Sequence, residues 1–97
     1  MHIIYKVSVR EDSGDSFEKL LRNVLIPEAH RLPGCKLFSV YQELDNARNF
    51  IFYETWDSHD SVDVYKRNLI KILGNPHPGE EFPAQMNDMI ESDEDLL

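Results

Sequence analysis

The residues with the most chemical potential lie in one run of the chain, "NFIFYETWDSHDSVDVYKRN", numbers 49 to 68. An extended strand sends alternate side chains to one face, so Phe50, Phe52, Glu54 and Trp56 share a side. Flat apolar rings around a single carboxyl make a chamber suited to a planar aromatic molecule. Burial there would push the acid towards neutrality, where a carboxylate works as a general base. Tyr65, on the helix that follows, adds a further aromatic wall. The same pattern has a plainer meaning: alternating aromatics build ordinary core, and Glu54 can pair with Lys66 or Arg67 or accept backbone amides.

Other chemistries find less support. His2, His30, His59 and His77 share no helical spacing, and none lies near Cys35 in a metal-binding pattern, so no metal site is expected. His30, near the end of the first helix, is placed either as a substrate contact at the pocket mouth or as a cation at a helix C-terminus. Cys35 has no base beside it and reads as a small buried apolar residue. Four glycines form no phosphate-cradling loop.

The elements that must position these side chains follow from hydrophobic period. Residues 2 to 10, "HIIYKVSVR", alternate as a strand with Ile3, Tyr5, Val7 and Val9 on one face. Ser13, Asp15 and Ser16 offer helix caps, and Phe17, Leu20, Leu21, Val24 and Leu25 form a helical stripe. Pro27 lacks the N–H that would reach the carbonyl of Asn23, so the helix must kink there or restart with Pro27 in a first turn. "LPG" ends it near Leu32. Residues 35 to 44 and 49 to 56 read as a hairpin whose second strand is apolar on both faces, which predicts a cover on each. Asp57 or Ser58 caps a last long helix with Val62, Tyr65, Leu69, Ile72 and Leu73 on its buried stripe, stopped by Gly74 and Pro76. Beyond it, Phe82, Met86, Met89 and Ile90 fall at helical spacing, which predicts a short helix over 82 to 91 and a mobile end over 92 to 97, with no strand.

A chain of 97 residues and 11.4 kDa holds one domain with a modest core, and a partner subunit would help to stabilise it. The reading divides it into a body, 1–80, and an acidic helix and tail, 81–97. Residues 1 to 71 carry 11 acids and 10 bases; residues 72 to 97 carry 7 acids and no base, so the net charge of −8 belongs almost wholly to the tail. With no basic stripe, nucleic acid is not an expected partner. No apolar run is long enough to span a membrane, and one cysteine with no leader-like start points to the cytosol.

The order βαββα, the "PEAHRLPGC" segment and then "YETWDSHDSVDVY" resemble the antibiotic biosynthesis monooxygenase family of small dimeric α+β barrels. The matching positions are Pro27, Pro33, Gly34, Cys35, Glu54, Trp56, Asp57 and Ser58, and the resemblance covers roughly residues 2 to 75. It implies a ferredoxin-like α+β fold, with an antiparallel sheet covered by helices on one face and by a second subunit, in a homodimer, on the other. It also implies a cofactor-independent oxidation of a small quinol, phenol or polyketide-like aromatic by dioxygen. On that reading Glu54, Trp56 and Tyr65 are catalytic, and Phe50, Phe52 and His30 contact substrate. The chain departs from the family in having Tyr65 where a histidine is common and Phe52 where cofactor-free members place an asparagine. The family's closing fourth strand has no counterpart legible after Gly74. Haem-degrading relatives usually need a histidine on the second helix and an asparagine on the first strand; here there are only His59 and none. The contrasting reading is a non-catalytic dimeric barrel that binds a ligand or serves in stress.

Overall fold

A computed structural model describes residues 1–97. Four strands, β1 (His2–Val9), β2 (Cys35–Gln42), β3 (Asn49–Trp56) and β4 (Ile90–Asp95), form one antiparallel sheet in the order β2-β3-β1-β4. The helices α1 (Gly14–Leu20), α2 (Ile26–His30), α3 (His59–Leu73) and the single turn α4 (Ala84–Asn87) complete the chain.

Between α1 and α2 the backbone widens into a π turn, Leu21–Leu25, closed by a bond from the Ile26 amide to the Leu21 carbonyl. The cause is local. Pro27 has no N–H to offer, so the α ladder is interrupted and restarts with Pro27 in the first turn of α2, one of the two outcomes its position allows. The apolar stripe survives the change: Phe17, Leu20, Leu21 and Leu25 are all buried against the sheet.

Helix α3 starts at Ser58, whose hydroxyl accepts from the Ser61 amide at 3.3 Å. It buries Val62, Tyr65, Leu69 and Leu73, while Ile72, expected on that stripe, is 45% exposed. The spacing i, i+3, i+7, i+11 leaves Ile72 off the face. Gly34 permits the join between α2, β2 and α3. A β-carbon there would fall 2.6 Å from Ser61 Cβ and 2.7 Å from Asp57 Oδ1, and the Asp57 amide donates to the Gly34 carbonyl at 2.8 Å.

The region after Gly74 corrects the sequence reading of 81–97. The helix expected over 82 to 91 is limited to Ala84–Asn87, and the segment expected to be mobile supplies the fourth strand. β4 pairs with β1 from Tyr5↔Asp95 to Val9↔Ile90, with a register shift at Ser8/Val9. Backbone bonds and flanking charges replace side-chain burial as its source of order: only Ile90 is buried, while Lys6 reaches Glu94 at 3.7 Å and Arg48 reaches Glu91 at 3.1 Å. The acids on this outer strand also discourage further pairing, as charges on edge strands commonly do. The sheet is therefore four-stranded, not missing its C-terminal member.

Candidate active site

The site grows from the β1–β3 register. Antiparallel pairing sets Tyr5 opposite Phe52 and Ile3 opposite Glu54, so four side chains rise together on the helix side of the sheet. Tyr5 and Phe52 stack with ring centroids 4.7 Å apart and an interplanar angle of 8°. On β3 the alternation expected from the sequence holds: Phe50, Phe52, Glu54 and Trp56 are all buried, and Tyr53 on the other face is 39% exposed.

Above these residues lies a cavity of about 240 Å³, bounded by the sheet, α3 and the segment that leads into α4. Its floor is Phe52, Glu54, Tyr5 and Ile3; Val62, Tyr65 and Leu69 form the α3 wall; Phe82 and Met86 close the far side. Of the 16 lining residues 10 are hydrophobic, a proportion suited to a ligand that is mostly apolar. A cavity of about 150 Å³ is enough to take benzene, so this one has room for one or two fused rings.

Glu54 is the only buried charged residue of the chain, 5% exposed. Trp56 Nε1–H donates to its Oε1 at 2.8 Å, and the Tyr5 hydroxyl lies on the same side of the sheet, close enough to influence the carboxyl. Burial raises the Glu54 pKa above the ordinary 4.5; the neighbouring Tyr5 hydroxyl, the bond from Trp56 and the charge of Lys66 act in the opposite direction and leave a net rise. Such a group can accept a proton from a donor held in the cavity. Burial, then the neighbouring Glu54 carboxylate, push the Tyr5 phenol well above its usual range, so it keeps its proton.

The six side chains assigned to the site by sequence are not all brought together. Glu54, Phe52 and Tyr65 line the cavity. Trp56 does not: it is 1% exposed, lies behind Glu54 and packs on Tyr65 with centroids 5.2 Å apart, so it touches the carboxylate and not the lumen. Phe50 is turned to the α1 end, its ring 5.0 Å from that of Phe17. His30 is on the exposed side of α2 with Nε2 3.3 Å from the Phe38 carbonyl, away from the cavity. Even Tyr65 is partly committed, because its hydroxyl donates to the Leu25 carbonyl at 2.8 Å. Burial, with the Glu54 charge second, holds its phenol far above the ordinary range.

Sequence reasoning missed Tyr5, Phe82 and the β4 acids as parts of the site, and named Lys66 only as a structural partner for Glu54. Tyr5 was visible on the inward face of β1, and an antiparallel β1–β3 pairing would have put it beside Phe52. Cys35 is half-buried and its thiol is raised, by burial first and by Glu54 next, which keeps it protonated. No group of three or more His, Cys, Asp or Glu side chains is arranged to hold a metal ion.

This four-stranded α+β fold with its enclosed acid matches a known class. The profile of the antibiotic biosynthesis monooxygenase family fits residues 1–69, and the chain belongs to that family. Among solved structures, a protein of Nitrosomonas europaea named for the antibiotic biosynthesis monooxygenases has TM-score 0.77 at 19% identity, over 98% of this chain and 84% of its own. A conserved protein of Methanosarcina mazei Go1 has TM-score 0.71 at 26% identity, over 96% and 84%. Rv0793 of Mycobacterium tuberculosis has TM-score 0.73 at 16% identity, over 99% and 91%. No curated protein matches the chain. No helix is long and apolar enough to cross a membrane.

Proposed function

We propose that the protein is a cofactor-independent monooxygenase that oxidises a small electron-rich aromatic, a quinol, phenol or polyketide-like compound, with dioxygen. The observation that carries this reading is Glu54: a buried carboxyl with a raised pKa on the floor of an apolar cavity sized for one or two rings. Glu54 takes the acidic proton of the substrate, and the Trp56 indole holds the carboxylate in place. The electron-rich anion then reacts with dioxygen while the apolar walls keep water from the intermediate. For an anthrone-type substrate a methylene becomes a carbonyl: one oxygen atom enters the product and the other leaves as water with the two methylene hydrogens.

The proposal includes a homodimer formed through the outer face of the sheet. Leu37, Tyr41 and Tyr53 are exposed there around Ser39 and Ile51, an apolar area that a second copy would cover. A single cysteine and the absence of a spanning helix suit a cytosolic location.

An oxygen electrode tests the chemistry. Uptake stimulated by dihydroxynaphthalenes or anthrones, and lost in Glu54→Gln, is the expected result; no uptake with any of them defeats it. Two observations favour a second reading, a dimeric barrel that binds an aromatic without oxidising it. Tyr65 has its hydroxyl tied to Leu25, and Phe52 offers no polar group beside the substrate. Binding without oxygen uptake would establish that alternative.

A further inference from the structure

We infer that the cavity discriminates by charge: it takes a neutral or cationic aromatic that bears a hydrogen-bond donor, and Asp93 and Asp95 on β4, with Glu81, exclude carboxylates. The inference rests on the proposed reading of the cavity as a binding site and adds its preference among ligands.

The β1–β4 register carries the argument. Residues directly opposite one another across an antiparallel pair share a face. Asp95 stands opposite Tyr5 and Asp93 opposite Val7, so both carboxylates project on the helix side, where they line the cavity together with Glu81. Glu94 stands opposite Lys6 and projects on the outer face. The outer acids are neutralised, Glu94 by Lys6 at 3.7 Å and Glu91 by Arg48 at 3.1 Å. Asp93, Asp95 and Glu81 have no cation within 4.0 Å. Lys66 is the only base in the lining, against these three acids and Glu54.

The consequence is a negative potential at the mouth of a largely apolar space; the three acids are themselves exposed, so water and salt weaken this field. A carboxylate or sulfonate on the ring meets that field with one ammonium to offset it. A phenol O–H, or an ammonium N–H, meets acceptors. The apolar floor supplies affinity, and the strand acids supply the sign of the preference.

The test uses three probes with the same ring: 2-naphthol, 2-naphthylmethylamine and 2-naphthoate, each titrated calorimetrically into the full chain near neutral pH at low and at moderate salt. The expected result is that naphthoate binds at least about tenfold more weakly than the other two, with the gap narrowing as salt rises. The gap should shrink severalfold in the Asp93→Asn/Asp95→Asn variant, at exposed positions where folding is retained. Equal or tighter binding of naphthoate, or a gap that the double variant leaves unchanged, overturns the inference. Selective binding with no oxygen uptake leaves it standing and defeats the oxygenase reading; uptake with no charge preference does the reverse. Failure of all three probes to bind defeats both.

Discussion

Trp56 and Glu54 are two residues apart on one face of β3, and the indole N–H meets the carboxylate at 2.8 Å with both side chains buried. Trp56 thus positions the acid and does not form the wall of the cavity. Trp56→Phe keeps most of the ring and removes the donor. Since that bond holds the Glu54 pKa down, the acidic limb of any pH–rate or pH–binding profile should move to higher pH. A profile that stayed in place would show that Glu54 is set by other neighbours. Trp56→Ala, which also empties the packing against Tyr65, should cost about 3–5 kcal/mol in chemical denaturation.

Glu54 also makes stability depend on pH in a definite direction. Its folded pKa lies above the ordinary 4.5, so the folded chain holds this proton more tightly than the unfolded chain does. Its contribution is most favourable below about 4.5 and is lost as pH rises through the folded pKa. Compared with Glu54→Gln, whose amide can still accept from Trp56, the parent should lose melting temperature across that window. A difference between the two curves that stayed flat with pH would contradict the raised pKa.

Just past the Trp56 end of β3, Gly34 is fixed by close approach. Gly34→Ala drives a methyl group into the Ser61 side chain and Asp57 Oδ1, and overpacking of this kind costs about 1–3 kcal/mol. The Asp57 carboxyl is held below its usual pKa by its bonds to Ser61 first and Ser58 next. The variant should therefore raise the Asp57 pKa in carboxyl-resolved NMR as well as lower the melting point.

For β4, hydrogen exchange gives the most direct reading. The Leu96 amide donates to the Ile4 carbonyl at 2.9 Å, and the Arg10 amide donates to the Met89 carbonyl at 2.9 Å. Both should exchange well behind Leu97. Exchange of Leu96 as fast as Leu97 would mean that the strand is not laddered in solution.

The proposed dimer makes a further prediction. Tyr53→Glu places a charge at the centre of the outer sheet face, and light scattering should then report a mass near 11.4 kDa against about twice that for the parent. A parent that is itself monomeric at micromolar concentration removes the proposal.

Most of the frame was legible because it is written in side chains. Alternating β-branched and aromatic residues marked β1, β2 and β3, the stripes marked the helices, and Pro27 marked the interruption that the π turn resolves. β4 was not legible for a physical reason. A strand with one buried residue, Ile90, and four carboxylates carries no pattern, and its order comes from the backbone of β1 and from Lys6 and Arg48, which lie far away in sequence. The site suffered the same blindness. Glu54 and Phe52 announced themselves by spacing, whereas Tyr5 depends on strand register, and the displacement of Trp56 from wall to support depends on a single rotamer.

The pairing of β1 with β4 also fixes when the molecule can become itself. β1 lies in the middle of the sheet, between β3 and β4, and its partner on one side is not synthesised until residues 90–95. Synthesis proceeds from the N-terminus at about 5–20 residues per second. During that interval the growing chain has one edge of β1 uncovered and the rim acids Asp93 and Asp95 absent, so the cavity has no finished mouth. The cavity is therefore complete only once β4 has paired with β1. Loss of residues 90–95 would leave one edge of β1 unpaired and remove Asp93 and Asp95 from the cavity lining, a cost out of proportion to the few residues lost.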